Sequence, residues 1–411
     1  MGDNPWKPLG ACGLPVHPGP CRAAGEKSSR VTVVRLLPLI RVSLHPTCNA
    51  DRRFLDGNRE RANIMTGRKL TLILIATALL ALTLGLLRGL SDFDLADRVT
   101  EDIVFPSQSG RIAGTLLLPA SSPAPPPVVL IVHGDGPQDR YSAEGYLPLI
   151  NALLDAGIGV FSWDKPGIGE SEGDWRKQSM DDRAAEARAA HQAVRQAAGN
   201  TVGAIGYLGF SQAGWVLPTL ATDPDADAFF VLVGGALNWQ RQGAYLTRSR
   251  LQGLGWSEGA IAAEIDRQAA AEAALDDTPD EMARVDAAAR LFGVPRERAG
   301  FILRNRDADA TDALRKAKAP VLALWGEDDL NVDASTNARD YARLLLPNHP
   351  ANRVDIIPGA THGLLKSWLF NYQLPQGMPW WARTAFVVLG RYAYADGAIA
   401  TIAGWIDKTA R

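Results

Sequence analysis

Between residues 128 and 357, short apolar runs alternate with longer stretches whose apolar positions recur every three or four residues. Residues 128–132 (VVLIV) form a continuous β-branched run, the pattern of a strand buried on both faces. Similar runs occur at 158–163, 202–208, 228–233, 320–325 and 353–357, with helical stretches at 146–156, 181–198 and 334–346. This alternation predicts an α/β fold: a mostly parallel sheet with flanking helices and right-handed crossovers. Upstream, 101–105 and 111–118 read as a hairpin about Ser109-Gly110, and a Pro-rich connector, 120–127, leads into the first parallel strand.

Two segments depart from the alternation. More than 80 residues without a good strand separate 233 from 320, with helical spacing at 245–254, 261–275 and 281–291. They predict a helical cap, 236–312, inserted between two parts of a core, 98–235 and 313–411. The second is 70–87 (LTLILIATALLALTLGLL), 18 uncharged residues. As a helix this is roughly 27 Å long, enough for a hydrocarbon core. A buried core helix would carry a polar stripe, whereas this run carries only scattered Thr. It is longer than a signal-peptide core, no A-x-A site follows, and no Cys follows to take a lipid. An uncleaved transmembrane anchor over 65–90 is therefore expected. Arg68 and Lys69 precede the run, and Asp92, Asp94 and Asp97 follow Arg88 beyond it. The positive-inside bias then places the remainder on the extracytoplasmic side.

Composition sharpens this picture. Residues 1–64 are rich in Pro, Gly and Arg, carry one apolar patch at 31–40 and hold no persistent period. They are expected to be a disordered extension or sequence upstream of a start at Met65. They hold ten Lys/Arg against five Asp/Glu, whereas the rest holds 33 against 40, so the basic excess lies outside the folded part. That balance gives no electrostatic case for binding nucleic acid. Cys12, Cys21 and Cys48 all lie before Met65, which excludes a cysteine nucleophile, a disulfide or a cysteine metal site in the rest. His17 and His45 lie there too, leaving His133, His191, His349 and His362 for chemistry.

GYLGFSQAGWVLPTLA carries the strongest chemical signal. A strand ends at Gly209-Phe210, Ser211 follows, and 212–221 reads as an apolar helix. Gly209 and Ala213 are the small residues that a strained nucleophile elbow needs on either side of its serine. The competing reading is an ordinary βα turn whose serine caps the helix. Gly169-Glu170-Ser171-Glu172-Gly173 also fits G-x-S-x-G, but no apolar helix follows it and its two glutamates would oppose an oxyanion. Ser171 is therefore read as a loop residue.

A serine nucleophile needs a base. His191 lies in a polar helix and reads as solvated, and His349 sits in a turn. His362, in PGATHG after the last strand, would reach the carboxyl edge of the sheet, to which the elbow also points. Gly359 and Gly363 suit an unusual loop there. For the carboxylate that orients the base, WGEDDLNVD offers Glu327, Asp328, Asp329 and Asp333. Asp329 is favoured, with Asp328 and Asp333 as alternatives; the cluster lacks a calcium-loop pattern. His133 opens HGDGPQDR after the 128–132 strand. Its side chain reads as structural, while the backbone N–H groups of Asp135, Gly136 and Gln212 would form an oxyanion hole.

The order Ser211, Asp329, His362, the HGDGPQDR and SWDKPGIGES loops, and the insert before the acid strand resemble the α/β-hydrolase superfamily. The HG-x-GPQDR loop is similar to that of bacterial serine esterases. The likeness spans about 101–411, with Ala213 where the strict elbow has glycine. It implies a carboxylesterase-like serine hydrolase acting through an acyl-enzyme on a small ester, with no cofactor and no metal. Arg140 and Asp164 would support the site wall. The same fold also serves serine peptidases and acyl-peptide hydrolases, and catalytically silent binding proteins keep it too. Oligomeric state is left open. Beyond His362, the cluster Trp368, Phe370, Tyr372, Trp380 and Trp381 reads first as core packing, and alternatively as an acyl pocket or a surface resting on the membrane.

Overall fold

The computed structural model describes residues 52–224 and 228–410. The chain divides into two compact units, Met1–Leu82 and Thr83–Arg411. Helix α1 (Arg52–Ser91) makes up the described part of the first unit and ends in the second. Its stretch Lys69–Ser91 is long and apolar enough to cross a membrane, and Leu72 and Leu82 stand 65% exposed. The helix starts earlier than the pattern predicts, since no element was expected before Met65. Arg, Glu, Ala and Asn dominate 57–63 without proline, and such residues propagate a helix that an apolar run has already nucleated. Expectations for residues 1–51, with Cys12, Cys21, Cys48, His17 and His45, lie outside the described residues.

In the second unit, β1 (Val99–Ser107) and β2 (Gly110–Leu118) form the expected antiparallel hairpin. The alternation follows as β3 (Val128–Val132), α2 (Leu147–Asp155), β4 (Gly159–Trp163), α3 (Met180–Ala198), β5 (Ile205–Phe210), α4 (Leu217–Thr222) and β6 (Phe230–Val233). The insert supplies α5 (Trp239–Gly253), α6 (Glu258–Ala273), α7 (Glu281–Phe292), α8 (Arg296–Asn305) and α9 (Thr311–Lys316). The unit closes with β7 (Val321–Gly326), α10 (Ala334–Leu345), β8 (Arg353–Ile357), α11 (Ser367–Phe370), α12 (Trp380–Leu389) and α13 (Ala398–Ala410). The eight-stranded sheet runs β1-β2-β4-β3-β5-β6-β7-β8, antiparallel at β1-β2-β4 and parallel from β4 to β8.

Strand periodicity sends alternate residues to opposite faces. Leu130, Tyr207 and Leu232 pack beneath α3, α4, α9 and α10, whereas Val129, Leu208 and Val231 pack against α2 and α13. Both faces are covered, which is why the central strands read as unbroken apolar runs. The expected helix at 212–221 is instead a 3-10 turn, Ser211–Trp215, followed by α4. Pro218 has no N–H to donate and suits only the first turn of a helix, so α4 begins at its doorstep. His191, expected in solvent, is 4% exposed. It belongs to the inward stripe Ala184-Ala187-His191-Val194 of α3, where Nδ1 meets the Tyr207 hydroxyl at 3.1 Å.

Candidate active site

The carboxyl ends of β5, β6, β7 and β8 are neighbours, and the loops after them carry Ser211, Gly234, Asp329 and His362. Ser211 sits at φ +52°, a left-handed conformation that is strained for a residue with a Cβ. The strain is held by close packing. A Cβ on Gly209 would lie 2.7 Å from that of Ala213, and one on Gly214 would lie 2.7 Å from the Gly235 Cα. In the turn that follows, the Gln212 N–H belongs to the first orphan donors of a helix and has no intrahelical acceptor.

Asp329 is buried, and both its oxygens are assigned. Oδ1 accepts the Asn331 and Val332 N–H groups at 2.7 and 2.9 Å, while Oδ2 lies 2.7 Å from His362 Nδ1. A carboxylate can only accept, so Nδ1 carries the proton and the Nε2 lone pair is left for a base's work. Burial opposes the imidazolium, but the charge and hydrogen bond of Asp329 outweigh it and raise the His362 pKa above its ordinary value. The alternative carboxylates are engaged elsewhere. Asp328 accepts from Ser367 Oγ at 2.5 Å and Asp333 caps α10 through the Thr336 N–H. His362 sits in a tight turn in which the Leu364 N–H donates to Thr361 O. Gly359 takes φ +58°, as its type suggested, but it is Leu364 at +61°, not Gly363, that supplies the second left-handed position.

Gly234 was not singled out from sequence. It has φ +64°, and a Cβ there would lie 2.8 Å from His362 Cε1 and 2.9 Å from Nδ1. The floor under the imidazole is thus a glycine because nothing larger fits. Ser211 Oγ makes no hydrogen bond among the described residues. A serine–histidine contact commonly tightens only when substrate arrives.

The loop after β3 lies beside the elbow. A Cβ on Gly134 would stand 3.4 Å from both Ser211 Cβ and Phe210 O. His133 is buried, stacks on Tyr146 and donates from Nε2 to Trp163 O at 2.6 Å. Burial, with Lys165 nearby, holds its pKa down at about 3, so it stays neutral and structural. Asp135 projects its carboxylate towards Arg298 of α8, which meets both oxygens at 2.8 and 2.5 Å. Burial raises the Asp135 pKa, but Arg298 more than offsets it, and the Gly136 N–H lying against the carboxylate adds to the lowering. Of the three expected oxyanion donors, the Asp135 and Gln212 N–H groups lie on loops beside the serine, whereas that of Gly136 faces this carboxylate.

Residues read as structural occupy structural places. Ser171 Oγ accepts the Ala113 N–H at 3.0 Å and donates to Asp164 O at 2.8 Å, tying its loop to β2. Arg140 makes a forked ion pair with the buried Asp164 and also reaches Glu170. Of the aromatic cluster, Phe370 is core, but Trp368 and Trp380 are each 78% exposed and Trp381 46%. The first reading therefore fails for the tryptophans. Helix α12 turns Ala382 and Phe386 inward, four residues apart, leaving Trp380 and Trp381 on its open side. Among the described residues no cluster of His, Cys, Asp and Glu could hold a metal ion.

Residues 123–367 match a hydrolase family model described as serine aminopeptidase, S33. An esterase structure from Pyrococcus furiosus is similar at 14% identity, covering 77% of this chain and 93% of that one, with TM-score 0.50. An esterase from Thermogutta terrifontis matches at 20% identity over 76% of this chain and 99% of that one (TM-score 0.42). An acylaminoacyl peptidase from Pyrococcus horikoshii matches at 13% identity over 76% and 42% (TM-score 0.45). No curated protein sequence matches the chain.

Proposed function

Because the chain belongs to the hydrolase family described as serine aminopeptidase, S33, whose α/β-hydrolase fold it shares, we propose that it cleaves small carboxylic esters through a Ser211–His362–Asp329 triad. The observation that carries this reading is the 2.7 Å contact between His362 Nδ1 and Asp329 Oδ2, on the loops that follow β8 and β7 at the same sheet edge as the elbow after β5. Ser211 Oγ attacks the ester carbonyl carbon while its proton passes to His362 Nε2. Asp329 holds the imidazole's other nitrogen and stabilises its charged form. The N–H groups of Asp135 and Gln212 receive the developing oxyanion. His362 then gives its proton to the departing alkoxide, and water, activated by the same imidazole, releases the acid from Ser211.

A peptidase reading draws on the family's description and shares every step up to the leaving group. An aminopeptidase must also bind a free ammonium, which calls for an uncommitted carboxylate. Around Ser211, Asp135 is paired with Arg298, Asp329 with His362 and Asp328 with Ser367. This favours neutral acyl substrates. The core at 98–235 and 313–411 would supply the chemistry, and the 236–312 cap would cover it: Tyr245 of α5 already donates to Asp329 O at 2.8 Å. Helix Lys69–Ser91 serves as a single anchor, with the catalytic unit extracytoplasmic. A panel of short- and long-chain p-nitrophenyl esters and aminoacyl p-nitroanilides tests the proposal. Esters are expected to exceed the anilides in kcat/KM by at least about 10²-fold; a preference for anilides would transfer the assignment to a peptidase.

A further inference from the structure

Beneath the candidate oxyanion loop lies a group of buried cations that the proposed chemistry does not use. Lys165 is 3% exposed, and its Nζ donates to the carbonyl oxygens of Gly134 at 2.6 Å and Gly136 at 2.9 Å. Its Nζ also lies 5.2 Å from the centre of the Trp175 ring, and burial, with Arg183 nearby, presses its pKa well below the ordinary lysine value. Arg183, 6% exposed, donates to His133 O at 2.5 Å and to Gln212 Oε1 at 2.6 Å. Bringing such cations out of water is costly unless their donors are satisfied. Here three of the four acceptors are backbone carbonyls of one short loop, and the fourth is the Gln212 side chain.

The strand order gives these bonds a direction. β3 lies between β4 and β5, so the loop after β3 has Lys165 on its β4 side and Ser211 on its β5 side. In a trans peptide the C=O and the following N–H point opposite ways. Drawing Gly134 O towards Lys165 turns the Asp135 N–H away from β4, and drawing His133 O towards Arg183 fixes the Gly134 N–H in the same manner. Among the described residues neither N–H donates to a protein acceptor. A loop with glycine at 134 and 136 has little stiffness of its own, so its donors keep their aim only if the carbonyls are held from behind.

We propose that Lys165 is a positioning residue of the oxyanion hole, holding the carbonyls of Gly134 and Gly136 so that the Asp135 N–H faces the carbonyl oxygen of a substrate at Ser211. The proposal rests on Ser211 being the nucleophile. It requires Lys165 to act on the charged transition state and not on ground-state binding, because the ester carbonyl accepts far more weakly than the oxyanion.

The test uses the full-length protein with Lys165→Met, which keeps an unbranched apolar stem in the buried site. With p-nitrophenyl acetate, kcat is expected to fall about 10²-fold, the loss typical of one oxyanion donor, while KM stays within about threefold. The affinity for an aryl trifluoromethyl ketone, which forms an oxyanion adduct on the serine, is expected to weaken in step with kcat/KM. In Lys165→Ala, added propylammonium is expected to restore at least about tenfold activity, whereas propanol restores none; this arm decides the matter if the methionine variant does not fold. A folded Lys165→Met with kcat within threefold of the parent, or an alanine variant rescued equally by propanol, would overturn the proposal. Failure of the parent protein to form a fluorophosphonate adduct at Ser211 would instead sink the functional reading beneath it.

Discussion

At the scale of single residues the site depends on what stands next to His362. Asp329 raises its pKa against the opposing effect of burial. The base must be neutral to act, so the acid limb of kcat/KM is expected above the ordinary imidazole value of 6.5. Asp329→Asn removes the charge that raises it: the limb should move to lower pH while kcat falls by about 10³–10⁴-fold. A limb that stays in place would show that Asp329 does not face the base. Stability responds with the opposite sign. The imidazolium–carboxylate pair contributes fully below pH 6.5 and fades as pH rises through the raised value. Gly234 makes a sharper point, since a methyl at its Cβ position, 2.8 Å from His362 Cε1, must displace the ring. Gly234→Ala is expected to cost about 10²-fold in kcat, the scale of a 1 Å misplacement. Parent-like kcat in a folded Gly234→Ala would contradict that placement.

At the scale of elements, the insert meets the site through α8. Arg298 grips Asp135 with both terminal nitrogens and lies over the rings of Trp175 and Phe301. Asp135 is 44% exposed at its side chain, so the ion pair adds at most about 1 kcal/mol to stability. It also ties α8 to the loop after β3. Arg298→Met is expected to lower kcat/KM about tenfold with a Tm shift of only a few degrees, and high salt should partly reproduce the effect in the parent. Equal losses in Tm and activity at both salt levels would make α8 a purely structural brace. Because Arg298 holds the Asp135 pKa below 3.8, the bridge contributes fully above that pH and is lost as pH falls through the lowered value. Sequence could not announce this pair. Asp135 and Arg298 lie far apart along the chain, and each alone reads as a solvated charge.

The same distinction governs the molecule as a whole. Sheet strands such as Val128–Val132 and Val321–Gly326 were legible because burial on both faces leaves a local apolar signature. The loops that carry Ser211, Asp329 and His362 were legible because glycine, serine, aspartate and histidine stand at strand ends. Lys165, Arg183 and Gly234 were not, because their roles exist only when strands distant in sequence are laid side by side. His191 misled for a related reason: α3 carries charged residues such as Asp182, Arg188 and Arg195, and only the helix's inward stripe reveals the burial of His191. Helix Lys69–Ser91 was legible from composition alone. The full chain is expected to stay with membranes through an alkaline wash, and Leu79→Arg with Leu82→Arg should release it, at about 2.5–3.5 kcal/mol for each buried arginine. Release of the unaltered chain by the wash would remove the anchor from the account.

Ser211 as the nucleophile can be tested without knowing the substrate. The full-length protein is treated with a fluorophosphonate, digested, and the adduct located by mass spectrometry. One adduct per chain is expected on Ser211, lost in Ser211→Ala and formed more slowly in Asp329→Asn. An adduct on Ser171, or a folded parent protein that forms none, would contradict it.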